Sequence, residues 1–284
     1  MSLEVLRTGP LATVQDRGRF GHAGIGVGVS GAADRGSLAL ANRLLGNPAG
    51  AAAVECTLGG LEVRAQRDLT VAVTGAPCPV TVDGRGAAVN AVLRLPAGSV
   101  LRLGTPPRGL RSYLAVRGGV DVDPVLGSRA TDVLAKLGPE VLAPGSVLPV
   151  GAPPAAFPVV DAAPVAALPE ELVLTATPGP RDDWFSDDAL DALFSEPYEV
   201  TARSDRIGMR LDGPPLHRSR EGELPSEGMV AGALQVPPAS TPTLFLADHP
   251  VTGGYPVIAV LPVAEVDRAA QARPGQRLRF RRAP

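Results

Sequence analysis

Lysine, cysteine and aromatic side chains are scarce in this sequence of 284 residues. Lys136 is the only lysine, and it has neither a Gly-rich loop before it nor a Ser or Thr after it. A Walker-type phosphate loop and a Schiff-base enzyme each need a lysine at a defined place, so neither is indicated. Cys56 and Cys78 are too few and too far apart for a disulfide framework or a metal cage, and we expect both to be small buried side chains.

Metal-binding motifs, blocks of like charge and long apolar runs are also missing. The histidines, His22, His217 and His249, are isolated in the sequence, so no metal site is expected. The formal net charge is −2 and contains no block that would attract nucleic acid. No stretch approaches the roughly 18 apolar residues of a membrane span. The start, Met-Ser-Leu-Glu-Val, lacks a signal-peptide pattern, which predicts a cytoplasmic protein without a membrane partner.

Glycine and proline, in contrast, are abundant, with 33 and 30 residues. They separate short apolar runs at intervals of roughly eight to twelve positions, which is typical of strands joined by turns. The sequence therefore predicts a mainly β fold with a few short helices. The clearest helices are Ser37–Leu45, which Gly46 follows, and a segment that Ser186 caps and that ends near Phe194.

A weak internal repeat suggests two lobes. A Pro-Gly turn that leads into a strand occurs at residues 142–148 and again at 272–278, each after a short stretch of helical pattern, at 131–137 and 264–271. We interpret this as two β-barrel-like lobes, residues 1–151 and 170–284, joined by a Pro/Ala-rich linker at 152–169. Chance recurrence of Pro-Gly turns in a chain rich in both residues remains an alternative.

The first polar cluster lies among glycines just before the helix at Ser37. Glycine lets a backbone approach a ligand closely, and arginines there can clamp a carboxylate or a phosphate through paired hydrogen bonds. We interpret the cluster as part of a pocket or an interface, and the alternative is a surface loop whose Asp and Ser side chains cap the helix. Its candidate residues are Gln15, Asp16, Arg17, Arg19, Ser30 and Asp34.

The second polar cluster lies between residues 204 and 255. Asp248 and Glu227 are candidate general bases, and Tyr255 is a candidate hydrogen-bond donor in catalysis. A buried amide both donates and accepts, which suits a urea-like or lactam group. A strand-edge salt bridge near residue 206 and simple core packing of Tyr255 remain the alternatives. The candidate substrate-binding residues are Ser204, Arg206, Arg210, Gln235 and Thr252.

Nine short motifs carry a resemblance to a known family. They are TVQDRGR (13–19), GVSGAAD (28–34), ANRLLGNP (41–48), LGSRATD (126–132), GPRDD (179–183), SDRIGMRL (204–211), PSEG (225–228), LQVP (234–237) and TGGYP (252–256). In this order they resemble the biotin-dependent carboxyltransferase family. The family includes the C subunit of bacterial 5-oxoprolinase, also called allophanate hydrolase subunit 2, and the carboxyltransferase domain of urea carboxylase.

The resemblance implies two cyclophilin-like β-barrel lobes and a site shared with a partner. The leading expectation is a protein that acts with the B subunit (allophanate hydrolase subunit 1-like) and the A subunit of 5-oxoprolinase, and that helps an ATP-dependent complex to hydrolyse 5-oxo-L-proline to L-glutamate. One alternative is the carboxyltransferase half of a urea or allophanate-type carboxylase, for which biotin would arrive on a separate carrier. Another is a non-catalytic antagonist of a kinase inhibitor.

Overall fold

The computed structural model describes residues 2–220 and 222–284, which separate into two compact units. Unit 1 contains the N-terminal residues to Arg19, Ser30–Asp132 and Lys136–Leu168. Unit 2 contains Phe20–Val29, Val133–Ala135 and Pro169–Pro284. Two short segments from the first half of the chain therefore belong to the second unit.

Unit 1 is built from two antiparallel sheets and one α-helix, α1 (Arg35–Leu45). Its strands are β1 (Ser2–Thr8), β2 (Leu11–Gln15), β3 (Ala53–Thr57), β4 (Leu61–Ala65), β5 (Leu69–Gly75), β6 (Val80–Val82), β7 (Arg85–Ala87), β8 (Val92–Leu95), β9 (Val100–Leu103), β10 (Arg111–Val116) and β11 (Val147–Pro149). The six-stranded sheet has the order β11-β1-β4-β9-β6-β7, and the five-stranded sheet has the order β2-β3-β10-β5-β8.

The core of unit 1 consists of apolar side chains from both sheets. Val5, Val63 and Val14 are fully buried in it, together with Cys56, while Cys78 is half-buried against it. The turn between β1 and β2 requires glycine, because Gly9 has a φ of +67° and a Cβ there would lie 1.9 Å from the carbonyl oxygen of residue 59. The chain can therefore turn from β1 in one sheet to β2 in the other only with a residue that lacks a side chain.

Helix α1 covers the second face of the five-stranded sheet. Asp34 caps its first turn by accepting a hydrogen bond from the Ser37 N–H at 2.9 Å, and Gly46 ends it in the left-handed conformation. The apolar side chains at 38, 41, 44 and 45 are buried, and they form one cluster with Tyr113. The predicted helix and its end before Gly46 are confirmed, and the helix begins at Arg35, two residues before the predicted start at Ser37.

Unit 2 contains a closed barrel with the strand order β12-β19-β16-β17-β14-β13-β20. Strands β12 and β20 pair in parallel and close it. Its elements are β12 (Leu172–Pro178), α2 (Asp187–Ser195), β13 (Tyr198–Val200), β14 (Gly208–Asp212), β15 (Glu227–Gly228), β16 (Ala233–Gln235), β17 (Thr243–Phe245), β18 (Thr252–Gly253), β19 (Val257–Val260), α3 (Val263–Ala269) and β20 (Arg277–Arg282). Strands β15 and β18 form a separate two-stranded ribbon.

The predicted mainly β fold with a few short helices is confirmed. The helix around 264–271 is present as α3, and Ser186 caps α2 by accepting a hydrogen bond from the Ala189 N–H. The predicted helix at 131–137 is wrong, because these residues form a turn that an isolated bridge between Asp132 and Leu137 closes.

The Pro/Ala-rich segment that was predicted as a linker lies in unit 1 up to Leu168. Arg117 donates to the carbonyl oxygen of Ala156 at 2.9 Å and stacks on Phe157, and Asn90 donates to the carbonyl oxygen of Pro164 at 2.9 Å. Low charge and many prolines gave the segment a linker composition, yet some of its carbonyl groups accept hydrogen bonds from residues in turns of unit 1. Unit 1 therefore extends to Leu168, and unit 2 contains all of the residues 170–284 that were expected to form the second lobe.

Candidate functional site

Most of the first polar cluster is buried in unit 1 and bonded to its own backbone. One Asp16 oxygen accepts hydrogen bonds from the Gly18 N–H at 2.8 Å and the Ser128 hydroxyl at 2.7 Å, and the other accepts from the Arg129 N–H at 2.7 Å. Both carboxylate oxygens of Asp16 are thereby occupied. Arg17 is exposed, and it is the member of the cluster that faces solvent.

Gln15, Arg19 and Ser30 converge on the backbone of residues 130 and 131. Gln15 donates to the carbonyl oxygen of Thr131 at 2.9 Å, the Ser30 hydroxyl is 3.4 Å from the same oxygen, and Arg19 donates to the carbonyl oxygen of Ala130. The Arg19 guanidinium is buried, with one Asp132 carboxylate oxygen at 3.7 Å. These side chains hold two chain segments together.

Asp34 belongs to a buried network that the sequence did not reveal. Its backbone N–H donates to the Tyr113 hydroxyl at 2.8 Å, and this hydroxyl donates to Glu55 at 2.7 Å. Glu55 also accepts from the Ala33 N–H at 3.0 Å and lies 3.6 Å from Arg111. Burial, with the nearby Glu55 charge, raises the pKa of Tyr113 well above its ordinary value, so the phenol stays protonated. The network fixes the start of α1.

Two candidate residues of the second cluster form a buried ion pair in unit 2. Arg206 donates from Nε and Nη2 to the two Asp248 oxygens at 2.9 and 3.0 Å, and the residues are 1% and 2% exposed. One of these oxygens also lies 3.2 Å from the Val133 N–H. The bidentate geometry satisfies both charges inside the barrel unit. The structure therefore places Asp248 and Arg206 against each other and away from the surface.

Glu227 also has a cationic partner. Its carboxylate accepts from Arg181 through both Nε and Nη2, and both side chains are partly exposed. The hydrogen bonds from Arg181 lower the pKa of Glu227 below its ordinary value, which makes this carboxylate a weaker base. Strand β15, which carries Glu227, pairs with β18, so that Glu227 lies opposite Gly253 and Thr252 is the exposed residue opposite Gly228.

A cavity of about 710 Å³ lies on the outer face of the barrel at strands β14, β17 and β16. Met209, Leu234 and Leu244 point from these strands into the core, so that their neighbours along each strand point outward. Phe245 and Pro250 supply apolar lining. The polar lining residues are Thr201, Arg203, Asp205, Arg210, Asp212, Gln235, Thr241, Thr243 and Tyr255.

The strand register places three of these side chains in one row. Arg210 on β14 pairs with Thr243 on β17, and Thr243 pairs with Gln235 on β16. Directly opposed side chains in antiparallel strands have Cβ atoms about 5 Å apart on the same face. The row therefore presents a guanidinium, a hydroxyl and an amide side by side, and neither Arg210 nor Arg203 forms an ion pair with any residue in the described ranges.

Ser204, Gln235 and Tyr255 shape the cavity. The Ser204 hydroxyl accepts from the Arg210 N–H at 3.1 Å, which links the loop before β14 to that strand. Gln235 donates through Nε2 to the carbonyl oxygen of Tyr255 at 3.0 Å. Tyr255 is 44% exposed, and the Arg218 guanidinium lies 5.8 Å from the centre of its ring. Tyr255 is thus a wall of the cavity and is not packed in the core.

The structure brings together Arg210, Gln235 and Tyr255, with Ser204 hydrogen-bonded beside them. It places Asp248, Arg206, Glu227 and Thr252 outside the residues that line the cavity. Sequence reasoning missed Thr243 and Arg203, because the register that puts Thr243 between Arg210 and Gln235 is not visible in a single strand. Within residues 2–220 and 222–284, no group of three or more His, Cys, Asp or Glu side chains is arranged to hold a metal ion. None of the helices described has the length and apolar character of a membrane span.

Comparison with known proteins gives consistent matches. The sequence pattern of the family described as carboxyltransferase domain, subdomain A and B, matches residues 25–282. The chain is 38% identical to the C subunit of 5-oxoprolinase from Escherichia coli strain K12, covering 98% of this chain and 90% of that protein. It is 34% identical to the urea amidolyase of Lachancea kluyveri, covering 98% of this chain but 17% of that protein. The crystal structure of the K. lactis urea amidolyase superposes with a TM-score of 0.92 at 30% identity, covering 98% of this chain and 18% of that chain.

These matches run over almost the whole of the chain, and the family pattern spans eight of the nine motifs that carried the resemblance, all except TVQDRGR at 13–19. The similarity extends to the three-dimensional structure, where the superposition covers 98% of the chain. The family expected from the motifs is confirmed: the chain belongs to the carboxyltransferase domain, subdomain A and B, family.

Proposed function

We propose that this chain is the C subunit of a 5-oxoprolinase complex, which hydrolyses 5-oxo-L-proline to L-glutamate at the expense of ATP. The observation that carries the proposal is the match to the C subunit of Escherichia coli 5-oxoprolinase, which is nearly end to end in both proteins, at 98% and 90%. The urea amidolyase of Lachancea kluyveri matches over 17% of its length, so this chain corresponds to a small part of that protein.

The cavity in unit 2 supports the proposal through its chemistry. 5-Oxoproline carries a carboxylate and a lactam amide. Arginine guanidinium groups bind carboxylates through paired hydrogen bonds, and a glutamine amide can complement a lactam. Arg210 and Gln235 lie in the same row of the sheet, and Arg203 adds a second cation at the cavity. Phe245 and Pro250 offer apolar contact for the methylene groups of the ring.

The hydrolytic machinery is completed by partner proteins in this proposal. The two carboxylates that the sequence offered as general bases, Asp248 and Glu227, are bound to Arg206 and Arg181. Tyr255 lines the cavity, where its hydroxyl can donate a hydrogen bond to a ligand. We therefore assign the base to the complex assembled with the A and B subunits of 5-oxoprolinase, and we assign substrate positioning to this chain.

ATP belongs to the complex as a whole. A lactam is a stable amide, and ATP supplies the free energy that opens it. Among the residues that line the cavity, Arg203 and Arg210 fit an anionic group, because both guanidiniums are exposed and form no ion pair with the residues described. A cytoplasmic hetero-oligomer is part of the same proposal.

Co-expression with the A and B subunits from the same source tests the proposal. We expect a complex that releases glutamate from 5-oxo-L-proline only when ATP is present and only when this chain is included. A complex that forms but leaves 5-oxo-L-proline intact in every combination would falsify the proposal.

The structural match to K. lactis urea amidolyase, with its TM-score of 0.92, favours one second candidate, a biotin-dependent carboxyltransferase half. The same preparation distinguishes it: with a biotinylated carrier, a biotin carboxylase, ATP, bicarbonate and urea, this candidate predicts that the carboxyl group formed on biotin from bicarbonate is transferred to urea, whereas the leading proposal predicts no carboxylated urea. A purely regulatory antagonist predicts tight binding to the B subunit without either product.

A further inference from the structure

Gln235 is held in one orientation by its neighbours. Its Nε2 donates to the carbonyl oxygen of Tyr255 at 3.0 Å and lies 3.9 Å from the sulfur of Met229. A carbonyl oxygen can only accept, so the amide nitrogen of Gln235 must face Tyr255. Among the residues described, no donor is hydrogen-bonded to Oε1, and this oxygen is therefore the acceptor that Gln235 offers to a ligand in the cavity.

The space around this amide depends on Gly253. A Cβ at position 253 would lie 2.7 Å from Gln235 Nε2, which is closer than real Cβ atoms come, so the amide would have to shift. It would also make a tight contact of 3.2 Å with Met229 Cγ. The next residue differs, since a Cβ at Gly254 would meet only the carbonyl oxygen of Leu224 at 3.5 Å, an ordinary contact. The Gly-Gly pair of the TGGYP motif thus contains one glycine that the amide requires and one that it does not.

The other end of the row supplies the charge. Arg210 and Gln235 are separated by β17, so their Cα atoms are two strand spacings apart, about 9.5 Å. The long arginine side chain can close much of this gap, and Thr243 lies between the two. A ligand that bridges the row must therefore be small, with an anionic group at one end and an N–H donor at the other.

We propose that this row binds a five-membered cyclic amide through its ring N–H and its carboxylate, with Gln235 Oε1 accepting from the N–H and Arg210 pairing with the carboxylate. Gly253 is then a positioning residue that keeps the Gln235 amide in place. The assignment rests on the proposed function for its substrate, 5-oxo-L-proline, and it adds which residue reads which end of that molecule.

The test measures binding and turnover separately in the assembled complex. Calorimetric titration compares 5-oxo-L-proline with 2-pyrrolidone, which lacks the carboxylate, and with the N-methyl derivative of 5-oxo-L-proline, which lacks the N–H. We expect each analogue to bind at least about tenfold more weakly to the wild-type complex. In the variants Arg210→Ala and Gln235→Leu, the matching analogue should lose its disadvantage, because the group that it lacks no longer has a partner.

Gly253→Ala supplies the test of positioning. We expect it to raise KM for 5-oxo-L-proline at least about tenfold with a smaller change in kcat, while Gly254→Ala stays close to wild type. Arg277→Ala is the matched control for Arg210→Ala, because it removes an exposed arginine from strand β20, outside the cavity lining. Thermal unfolding of each variant separates a binding defect from a folding defect.

The outcomes distinguish the inference from the proposed function. If the wild-type complex hydrolyses 5-oxo-L-proline but Arg210→Ala and Gly253→Ala leave KM unchanged, the inference is wrong and the function stands. If no turnover occurs but binding shows the predicted analogue pattern, the function is wrong and the site is retained. Equal binding of all three ligands, or no binding of any, overturns the inference, and the ligand series does so without a variant that has to fold.

Discussion

The two polar clusters of this chain contain similar residues and serve different ends. In unit 1, Asp16, Arg19 and Asp34 are buried or nearly so, and their polar groups are bonded to the backbone of the same unit. In unit 2, Arg210 and Tyr255 stand at the wall of a cavity of about 710 Å³. The difference lies in which groups remain available to a ligand.

The comparison shows that residue type and neighbouring glycines indicate a polar cluster. They do not indicate whether its side chains are already hydrogen-bonded to other groups of the same chain. A charge buried in a protein requires a partner, and a partner that the chain itself supplies leaves nothing for a substrate. The same holds for Arg206 and Asp248 in unit 2. Both were candidate site residues, and their charged groups bind each other. We therefore divide the polar residues into those whose partners lie within the chain and those that remain available to a ligand.

Asp248→Ala should produce the largest effect. It leaves the Arg206 guanidinium, 1% exposed, without its carboxylate, and removing one partner of a buried pair costs about 3–5 kcal/mol. We expect the free energy of unfolding of unit 2 to fall by that amount in urea titrations. Asp183→Ala is the control, because its pair with Arg220 is exposed and contributes at most about 1 kcal/mol.

The same variant can also break the division. If Asp248→Ala kept the stability of the wild type and lost affinity for 5-oxo-L-proline, Asp248 would return to the substrate site. Unit 2 would then not contain a purely structural ion pair beside a separate ligand cavity.

Gly31→Ala should have the next largest effect on stability, because the loop before α1 is held by close backbone packing. Gly31 has a φ of +89°, and a Cβ there would lie 2.7 Å from the backbone nitrogen of Gly18. Left-handed strain and overpacking each cost about 1–3 kcal/mol, so we expect unit 1 to lose about 2 kcal/mol or more. Gly98→Ala has a similar φ of +84° with no atom within 4 Å, and its unfolding midpoint should shift less.

Tyr113→Phe tests the buried network of unit 1. The hydroxyl donates to Glu55 and accepts from the Asp34 N–H, so its loss leaves two buried groups short of a hydrogen bond. We expect a loss of about 1–3 kcal/mol in chemical denaturation. Tyr198→Phe is the matched control, since the buried Tyr198 hydroxyl has no hydrogen-bond partner among the residues described and its removal should be neutral or stabilising. Equal losses in both variants would show that the network adds nothing.

The fold was more accessible from the sequence than the site, and particular residues show why. Local signals identified α1, because its cap at Asp34 and its end at Gly46 are encoded next to the helix. The Tyr113–Glu55 contact joins residues 58 positions apart, and the Arg206–Asp248 pair joins residues 42 positions apart. No local pattern encodes such pairing.

Gln235 illustrates the part of the site that could be predicted. Its amide was proposed from chemistry alone, and the structure places it on the cavity wall. Its neighbour in the row, Thr243, could not be predicted as a site residue, because the partner of a strand residue depends on the register of the sheet. The order of the barrel strands, in which β14 and β16 flank β17, is a tertiary property that single runs of apolar residues do not carry.

Glu227→Gln should have the smallest effect, and it depends on pH. Arg181 lowers the pKa of Glu227 in the folded protein below the ordinary value of 4.5. A carboxylate with a lowered folded pKa stabilises the protein above its unfolded pKa, and this contribution is lost as the pH falls through the folded pKa. Urea midpoints of wild type and variant should therefore coincide in strong acid and separate above about pH 4.5, where the wild type is slightly more stable. A separation that grew toward acid instead would mean that Glu227 is protonated in the folded protein, and it would then no longer count among the carboxylates that a partner within the chain keeps ionised.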